Sequence, residues 1–408
     1  MHSSSFGVRT LRDPRFQRLA VVLLAIILGL FRLAQFAAFT SQVEWGYDFA
    51  YYWRAAQDLL HGLPIYAPEQ LVGPYVPQGQ AGFLYPPPFA AAMIPFALAF
   101  PTDVRAAAWI WAALGALVLA VGTLAVARSG GLVERIRGAS GLGPWILLVA
   151  ALTFPPVVGE LVLGNVHLLL FGLLSVAWLG VRRGDAVGDR WAGLAVGIAA
   201  LVKVFPAFIV LWFLFTGRRR AAGWAVIGVL TAVALALPIT GVAPWLDYPA
   251  ALLNLSAPSD TTDTLAPTVW LASVVGFSGA RMVVTATAVV TLFWAARRLP
   301  ARPSFAVAVI LSVLVAPALY HHYLAIMVLP FLLLLPDRGA PAWLAVAYLL
   351  MSGGQQPALG ELSWIVNRGF PTAGALILLA VALRAGRVHP APVDGMIRPT
   401  RPSHEEAT

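Results

Sequence analysis

The stretch LAVVLLAIILGLFRLAQFAAFT (19–40) decides the fold class. It carries one charge, Arg32, and follows a basic arm with Arg9, Arg12, Arg15 and Arg18. About 20 apolar residues suffice to cross a hydrocarbon layer of about 30 Å. The run is longer than the apolar core of a signal peptide and lacks a small-x-small cleavage site. It therefore reads as a retained first membrane span.

The same pattern recurs to about residue 385. Apolar runs fall at 19–40, 105–127, 143–162, 165–181, 191–204, 206–217, 221–239, 280–296, 304–318, 322–336, 341–353 and 369–385. This predicts an all-α polytopic membrane protein with about 12 transmembrane helices. A β-barrel would show weakly alternating segments of about ten residues instead. Several runs are short for a bilayer and are expected inside the bundle or continuing into the interface.

Composition agrees. Of 408 residues, 60% are hydrophobic and 11% charged, against about 25% charged in an ordinary soluble domain. A soluble globular enzyme, a disordered chain and a nucleic-acid-binding domain are all excluded. The chain has no cysteine, so disulfides, thiolate metal sites and cysteine nucleophiles are excluded too. Lys203 is its one lysine, and the other bases are arginines. That skew fits a GC-rich bacterial genome.

The net charge of +9 is a topology signal rather than a nucleic-acid footprint. The segment PPPFAAAMIPFALAF (86–100) is apolar but broken by proline. Placed as an interfacial or re-entrant piece, it leaves the arginine clusters at 9–18, 128–137, 182–190, 218–220, 297–302 and 384–401 all on one side. The positive-inside rule makes that side cytoplasmic, with both termini. The opposite face then holds Arg54, Arg105, Lys203, Arg281 and Arg368 against ten acids, Asp48 and Glu160 among them. The expected location is a bacterial inner membrane with the working face outward. The expected layout is a cytoplasmic arm at 1–18, a membrane domain at 19–387 and a disordered cytoplasmic tail at 388–408. The outer loop 41–104 is long, aromatic and proline-rich, and interfacial helices are expected in it.

Four constellations cluster on that outer face. The first is EWGYDFAYYWRAAQDLLHGLPIY (44–66). A helix is expected from Phe49 to Leu60, with Asp48 just before it in a capping position. Asp48 also stands among Trp45, Tyr47, Phe49, Tyr51 and Tyr52. Such walls stack on sugar or prenyl faces, and partial desolvation moves a carboxylate toward a useful base. Capping and catalysis both remain open for it. Asp58 reads as a surface residue.

The second is APALYHHYLAIMVLP (316–330). On a helix His321 and His322 point about 100° apart, so one of them faces a site. Either belongs to an aromatic belt with Tyr320 and Tyr323, or acts as a donor to a phosphate or a proton shuttle. No zinc-ligand spacing accompanies the pair. The third is GIAALVKVFP (197–206), where Lys203 stands deep in an apolar helix. It either snorkels to headgroups or meets a phosphate anion. The fourth is FPPVVGELVLGNVHLLLFG (154–172), with Glu160, Asn165 and His167 at a helix–helix turn. Gly164-Asn165 fits the turn itself. His167, among apolar neighbours, reads as a hydrogen-bonded core histidine.

One carboxylate base, a lysine, one or two histidines and aromatic walls suit group transfer from a lipid phosphate. Lysine and histidine can neutralise a monophosphate leaving group without a metal or cofactor. Asp260-Thr-Thr-Asp263 is a weak exception to the lack of a paired-carboxylate cation motif.

These motifs, in this order, resemble glycosyltransferase family 87 of the GT-C superfamily. The resemblance rests on DFAYYWRAA (48–56), LLHGLPIY (59–66), YPPP (85–88), GNVHLLL (164–170), AGLAVGIAALVKVFP (192–206) and APALYHHY (316–323). It spans about residues 19–385. It implies a GT-C type helical bundle and transfer of a sugar, foremost mannose, from a polyprenyl-phosphate donor. The acceptor would be a cell-envelope glycolipid or glycan, reached by inverting displacement at the outer face. On that resemblance Asp48 is the general base, and His322, Lys203 and His321 hold the donor phosphate. Tyr47, Tyr51, Tyr52, Tyr85, Asn165, Glu160 and Tyr323 line the pocket. Two departures are Asn165 where glutamine is usual and Tyr320 where tryptophan is frequent, and both bear on sugar and acceptor identity. The competing class is a transporter or flippase for a lipid-linked substrate. Convergence of Asp48, Lys203 and His322 on one cavity discriminates between them.

Overall fold

The computed structural model describes residues 14–40, 45–72, 82–132, 143–255, 264–337, 339–353 and 365–385. Every regular element among them is helical. We number them α1 (Pro14–Thr40), α2 (Tyr47–Leu60), α3 (Pro68–Val72), α4 (Pro87–Ala92), α5 (Ile94–Ala99), α6 (Val104–Ser129), α7 (Gly143–Leu152), α8 (Pro155–Leu163) and α9 (His167–Arg183). Then follow α10 (Ala186–Val202), α11 (Phe208–Phe215), α12 (Arg219–Thr240), α13 (Ala243–Leu255), α14 (Pro267–Arg298), α15 (Ala301–Leu314), α16 (Val328–Leu334), α17 (Ala340–Ser352) and α18 (Phe370–Arg384).

This is a helical membrane protein. Among the described residues four helices are long and apolar enough to cross a bilayer unaided: α6, α12, α14 and the 20-residue stretch Ile365–Arg384. The pair α7–α8, bent by 56° at Thr153-Phe154, makes a fifth if taken as one broken span. The first predicted span lies in α1, 27 residues long, and the other apolar runs fold as shorter helices. Their outer residues point to lipid. Leu230, Leu235 and Val290 are 61–70% exposed, which water would penalise and hydrocarbon does not.

Short helices sit inside. α15 is buried on all sides from Pro303 to Leu314, as an all-round apolar helix requires. α10 presses against α12 through Gly193 and Gly197, spaced four apart on one face. A Cβ on Gly193 would collide with Ala221 O, and one on Gly197 with Ala225 O. Small residues at that spacing let two membrane helices touch backbone to backbone. This packing fixes the end of α10, where Lys203 lies.

Residues 86–100 form two short helices, α4 and α5, meeting at Met93, not one straight span. The stretch between α1 and α6 thus carries short helices, α2 to α5. The Asp260 to Asp263 motif, Glu44, the arm before Pro14 and the tail after Ala385 lie outside the described residues.

Candidate active site

Helix ends, not helix middles, meet at the site. Residue 46 turns the chain into α2. Gly46 has φ 68° and donates its N–H to Val162 O at 2.8 Å. Its Cβ position is only 2.7 Å from Ala108 Cβ, so only glycine fits. As a result α2 begins at Tyr47, two residues earlier than the sequence predicted. Asp48 lies inside the first turn, and Gly46 takes the capping position with no side-chain cap. Of the two readings left open for Asp48, capping is therefore not the one that the start of α2 supports. The carboxylate is free to point at other partners, and the helix N-terminus favours its charge.

The partner is Asn165. Gly164, at φ 67°, ends α8 in a left-handed turn. Asn165 follows, and its Oδ1 accepts the Val166 N–H at 2.7 Å and the Tyr85 hydroxyl at 3.1 Å. A backbone N–H can only donate, so the amide orientation is fixed. Nδ2 then donates to Asp48 Oδ2 at 2.6 Å and faces His322 Nε2 at 3.2 Å. His322 Nε2 is therefore an acceptor, and the ring proton sits on Nδ1. Trp111 Nε1 anchors the turn by donating to Asn165 O at 3.0 Å.

Tyr85 is pinned from two sides. Its hydroxyl pairs with that of buried Tyr52 at 2.8 Å, and its carbonyl accepts the Tyr66 hydroxyl at 2.7 Å. Burial raises both the Tyr52 and Tyr85 phenols above their usual range, so they remain protonated donors. Asp48 is raised as well. Burial is the larger cause, opposed by the Asn165 hydrogen bond and the charge of Lys203. The result is a carboxylate closer to the pKa of a working base than a surface aspartate.

Lys203 does not stand inside a helix, contrary to the sequence reading. α10 ends at Val202, and Lys203 is extended at φ −153°. Its Nζ lies 3.7 Å from the Tyr323 ring centre, 5.4 Å from that of Tyr85 and 3.2 Å from His167 Nε2. Pro206 beyond it starts a new turn, which is why α10 cannot continue. The His321–His322 pair lies on a 3₁₀-helix, His321–Met327, not an α-helix. Successive side chains there diverge by about 120°. His322 turns to Asn165, whereas His321 turns away and meets Met351 O at 2.8 Å. Thr264 holds the preceding strand-like segment, accepting from Leu319 N at 2.8 Å.

Asp48, Asn165, Tyr85, Lys203, His322 and Tyr323 thus converge. Tyr52 lies beneath them, and Glu160 is fully buried behind them. Tyr47 is 42% exposed and packs edge-on against Tyr51 at 5.3 Å, an outer wall rather than part of the network. His321 is not brought in. Sequence reasoning did not single out Trp111 or Thr264. Both act through hydrogen bonds across long chain separations, for which the sequence has no local signal.

Glu160, His167 and His322 offer ligand atoms within 4.8 Å of one another. The donors are already used, however. Both Glu160 oxygens accept from His167, and His167 Nε2 faces the Lys203 ammonium. A cation added there would meet that ammonium, so the cluster reads as a hydrogen-bond network. A separate apolar cavity of about 840 Å³ lies between α1, α7, α16 and α17, lined by Leu28, Phe154, Phe331 and Tyr348. It holds none of the groups above.

Residues 83–319, more than half of the chain, match the model of glycosyltransferase family 87. No curated protein matches the chain. The matched stretch includes Tyr85, Asn165 and Lys203 but starts after Asp48 and stops just before His322.

Proposed function

The chain belongs to glycosyltransferase family 87, and from that premise we propose that it moves a sugar, foremost mannose, from a polyprenyl-phosphate donor to a lipid or glycan acceptor of the cell envelope. Asp48 Oδ2 takes the proton of the acceptor hydroxyl. The acceptor oxygen bonds to the anomeric carbon as the C–O bond to phosphate breaks. The electron pair leaves with the polyprenyl phosphate. Lys203 neutralises that leaving group, and the Nδ1–H of His322 donates a hydrogen bond to it. Tyr85 and Tyr323 supply flat faces for the sugar.

One observation carries this reading. A single amide, Asn165, ties the carboxylate that would act as base to the histidine that would meet the phosphate. Base and leaving-group histidine are thereby held within hydrogen-bond reach of one nitrogen. A direct displacement can use such a pair, and it inverts the anomeric centre; among the described residues no second carboxylate faces the first to serve as a nucleophile. Glu160, the nearest other acid, spends both oxygens on His167. The apolar cavity between α1, α7, α16 and α17 gives a hydrocarbon chain room within the same bundle. We place the reaction on the outer face of the inner membrane, from the distribution of arginines.

The transporter reading has no comparable support, since these groups tie one another in place. The test is sugar transfer from labelled polyprenyl-phosphate-mannose to membrane glycolipids. Membranes with the wild-type protein are compared with membranes carrying Asp48→Asn at equal expression. Transfer in the first and not the second supports both reaction and base. Equal transfer in both would remove Asp48 from the chemistry. No transfer from any sugar donor would remove the proposal.

A further inference from the structure

His167 is buried without touching the open side of the site, yet its ring is not left to apolar packing. Lys203 Nζ lies 3.2 Å from His167 Nε2 and, as the ammonium that meets a phosphate, has hydrogens and no lone pair. His167 Nε2 must therefore be the acceptor, and its ring proton must sit on Nδ1. That Nδ1–H has one acceptor, Glu160 Oε2 at 2.9 Å. The other Glu160 oxygen accepts the backbone N–H of the same histidine. The left-handed turn at Gly164 makes this possible, folding residue 167 back over residue 160. The Tyr323 ring covers the imidazole at 4.1 Å and Phe205 stacks against it at 6.2 Å.

A buried glutamate–histidine pair is a poor way to stabilise a fold. Desolvation consumes most of what the pairing returns, and an apolar pair of similar volume serves as well. The pair instead determines which way one lysine points. Lys203 has a flexible four-carbon stem and feels two carboxylates, Glu160 and Asp48. Released from His167, its ammonium could swing onto Asp48 and occupy the base.

We propose that Glu160 and His167 are positioning residues: Glu160 fixes the tautomer of His167, and His167 Nε2 holds the Lys203 ammonium over Tyr323, facing the donor phosphate and off Asp48. This rests on the reading of Lys203 as a phosphate-binding group. With Glu160→Gln the side-chain amide can donate to Nδ1, the ring proton moves to Nε2, and the acceptor for Lys203 is lost. With His167→Gln the side-chain oxygen can replace Nε2, whereas with His167→Leu nothing can.

The test is a double-mutant cycle on the full-length protein in lipid nanodiscs, read as the dissociation constant for farnesyl phosphate. Glu160→Gln is expected to weaken binding about tenfold, and Lys203→Met by more. The combined variant should bind no more weakly than Lys203→Met alone, because coupled residues are strongly non-additive. His167→Leu should match Glu160→Gln, and His167→Gln should recover part of the loss. If Glu160→Gln does not fold, the two His167 variants, alone and with Lys203→Met, close the same cycle. Multiplying losses in the combined variants would overturn the proposal and leave the pair a structural element. Equal binding by wild type and Lys203→Met would overturn the phosphate reading itself, and the positioning role with it.

Discussion

Asn165 Nδ2 lies 2.6 Å from Asp48 Oδ2, and the amide cannot flip, because its oxygen accepts the Val166 N–H. The base of the proposed reaction is therefore aimed by a residue 117 positions further along the chain. The same hydrogen bond favours the ionised carboxylate and opposes the upward push of burial. Asn165→Ala removes a lowering cause, so the Asp48 pKa rises further. The base works only when ionised, so the acid limb of the transfer rate must move to higher pH. A hydrogen bond to a charged group contributes about 1.5–3 kcal/mol, which corresponds to about one to two pH units. The pH profile of kcat/KM for the donor measures this. An unmoved limb would mean that Asn165 does not orient the base.

Asp48→Asn keeps the shape and removes the proton acceptor. General-base catalysis contributes about 10²- to 10⁴-fold, so kcat should fall by that much at neutral pH while the Tm changes little. The remaining activity should lose its acid limb. Radiolabel transfer across pH 5–9 tests both. A loss smaller than tenfold would assign the base elsewhere.

Much of this site was visible in the sequence, and what was not has identifiable causes. Asp48, Asn165, Lys203 and His322 stood out as polar residues in apolar surroundings, an anomaly that composition alone exposes. The orientation of the adjacent histidines was not legible. It depends on 3₁₀ rather than α geometry after Pro317, and on Met351, whose carbonyl claims His321. Lys203 was misplaced because an apolar run reads as helix until Pro206, three residues past the lysine. The bend between α7 and α8 was hidden for a related reason. Pro155-Pro156 can begin a helix, and hydropathy does not register a change of direction. The role of His167 was half legible: its burial was expected, and the glutamate that its Nδ1–H meets was not.

His321 and His322 should part company on mutation. His322→Ala removes a ring that faces Asn165 and the proposed phosphate, so the donor KM should rise and kcat fall, with the Tm nearly unchanged. His321→Ala removes a hydrogen bond to Met351 O between two packed helices. Its cost should be about 1 kcal/mol of stability, with transfer within about twofold of wild type. Steady-state kinetics and thermal unfolding in one detergent compare the two. The reverse pattern would mean that the 3₁₀-helix presents the other histidine to substrate.

Gly164→Ala tests how the turn carries the site. The left-handed φ of 67° costs a side-chain-bearing residue about 1–2 kcal/mol. The added Cβ would also stand 2.7 Å from Phe49 Cβ. Neither contact atom is a flexible tip, so the backbone must shift, and Phe49 is bonded to Asp48. The variant should lose several degrees of Tm. It should also lose transfer well beyond the unfolded fraction when assayed far below that Tm, because the Asp48–Asn165 distance changes with it. Displacing a catalytic group by about 1 Å can cost about 100-fold. A folded Gly164→Ala protein with full transfer would show that the base tolerates a loose turn, and that Asn165 need not hold its 2.6 Å contact for the reaction to run.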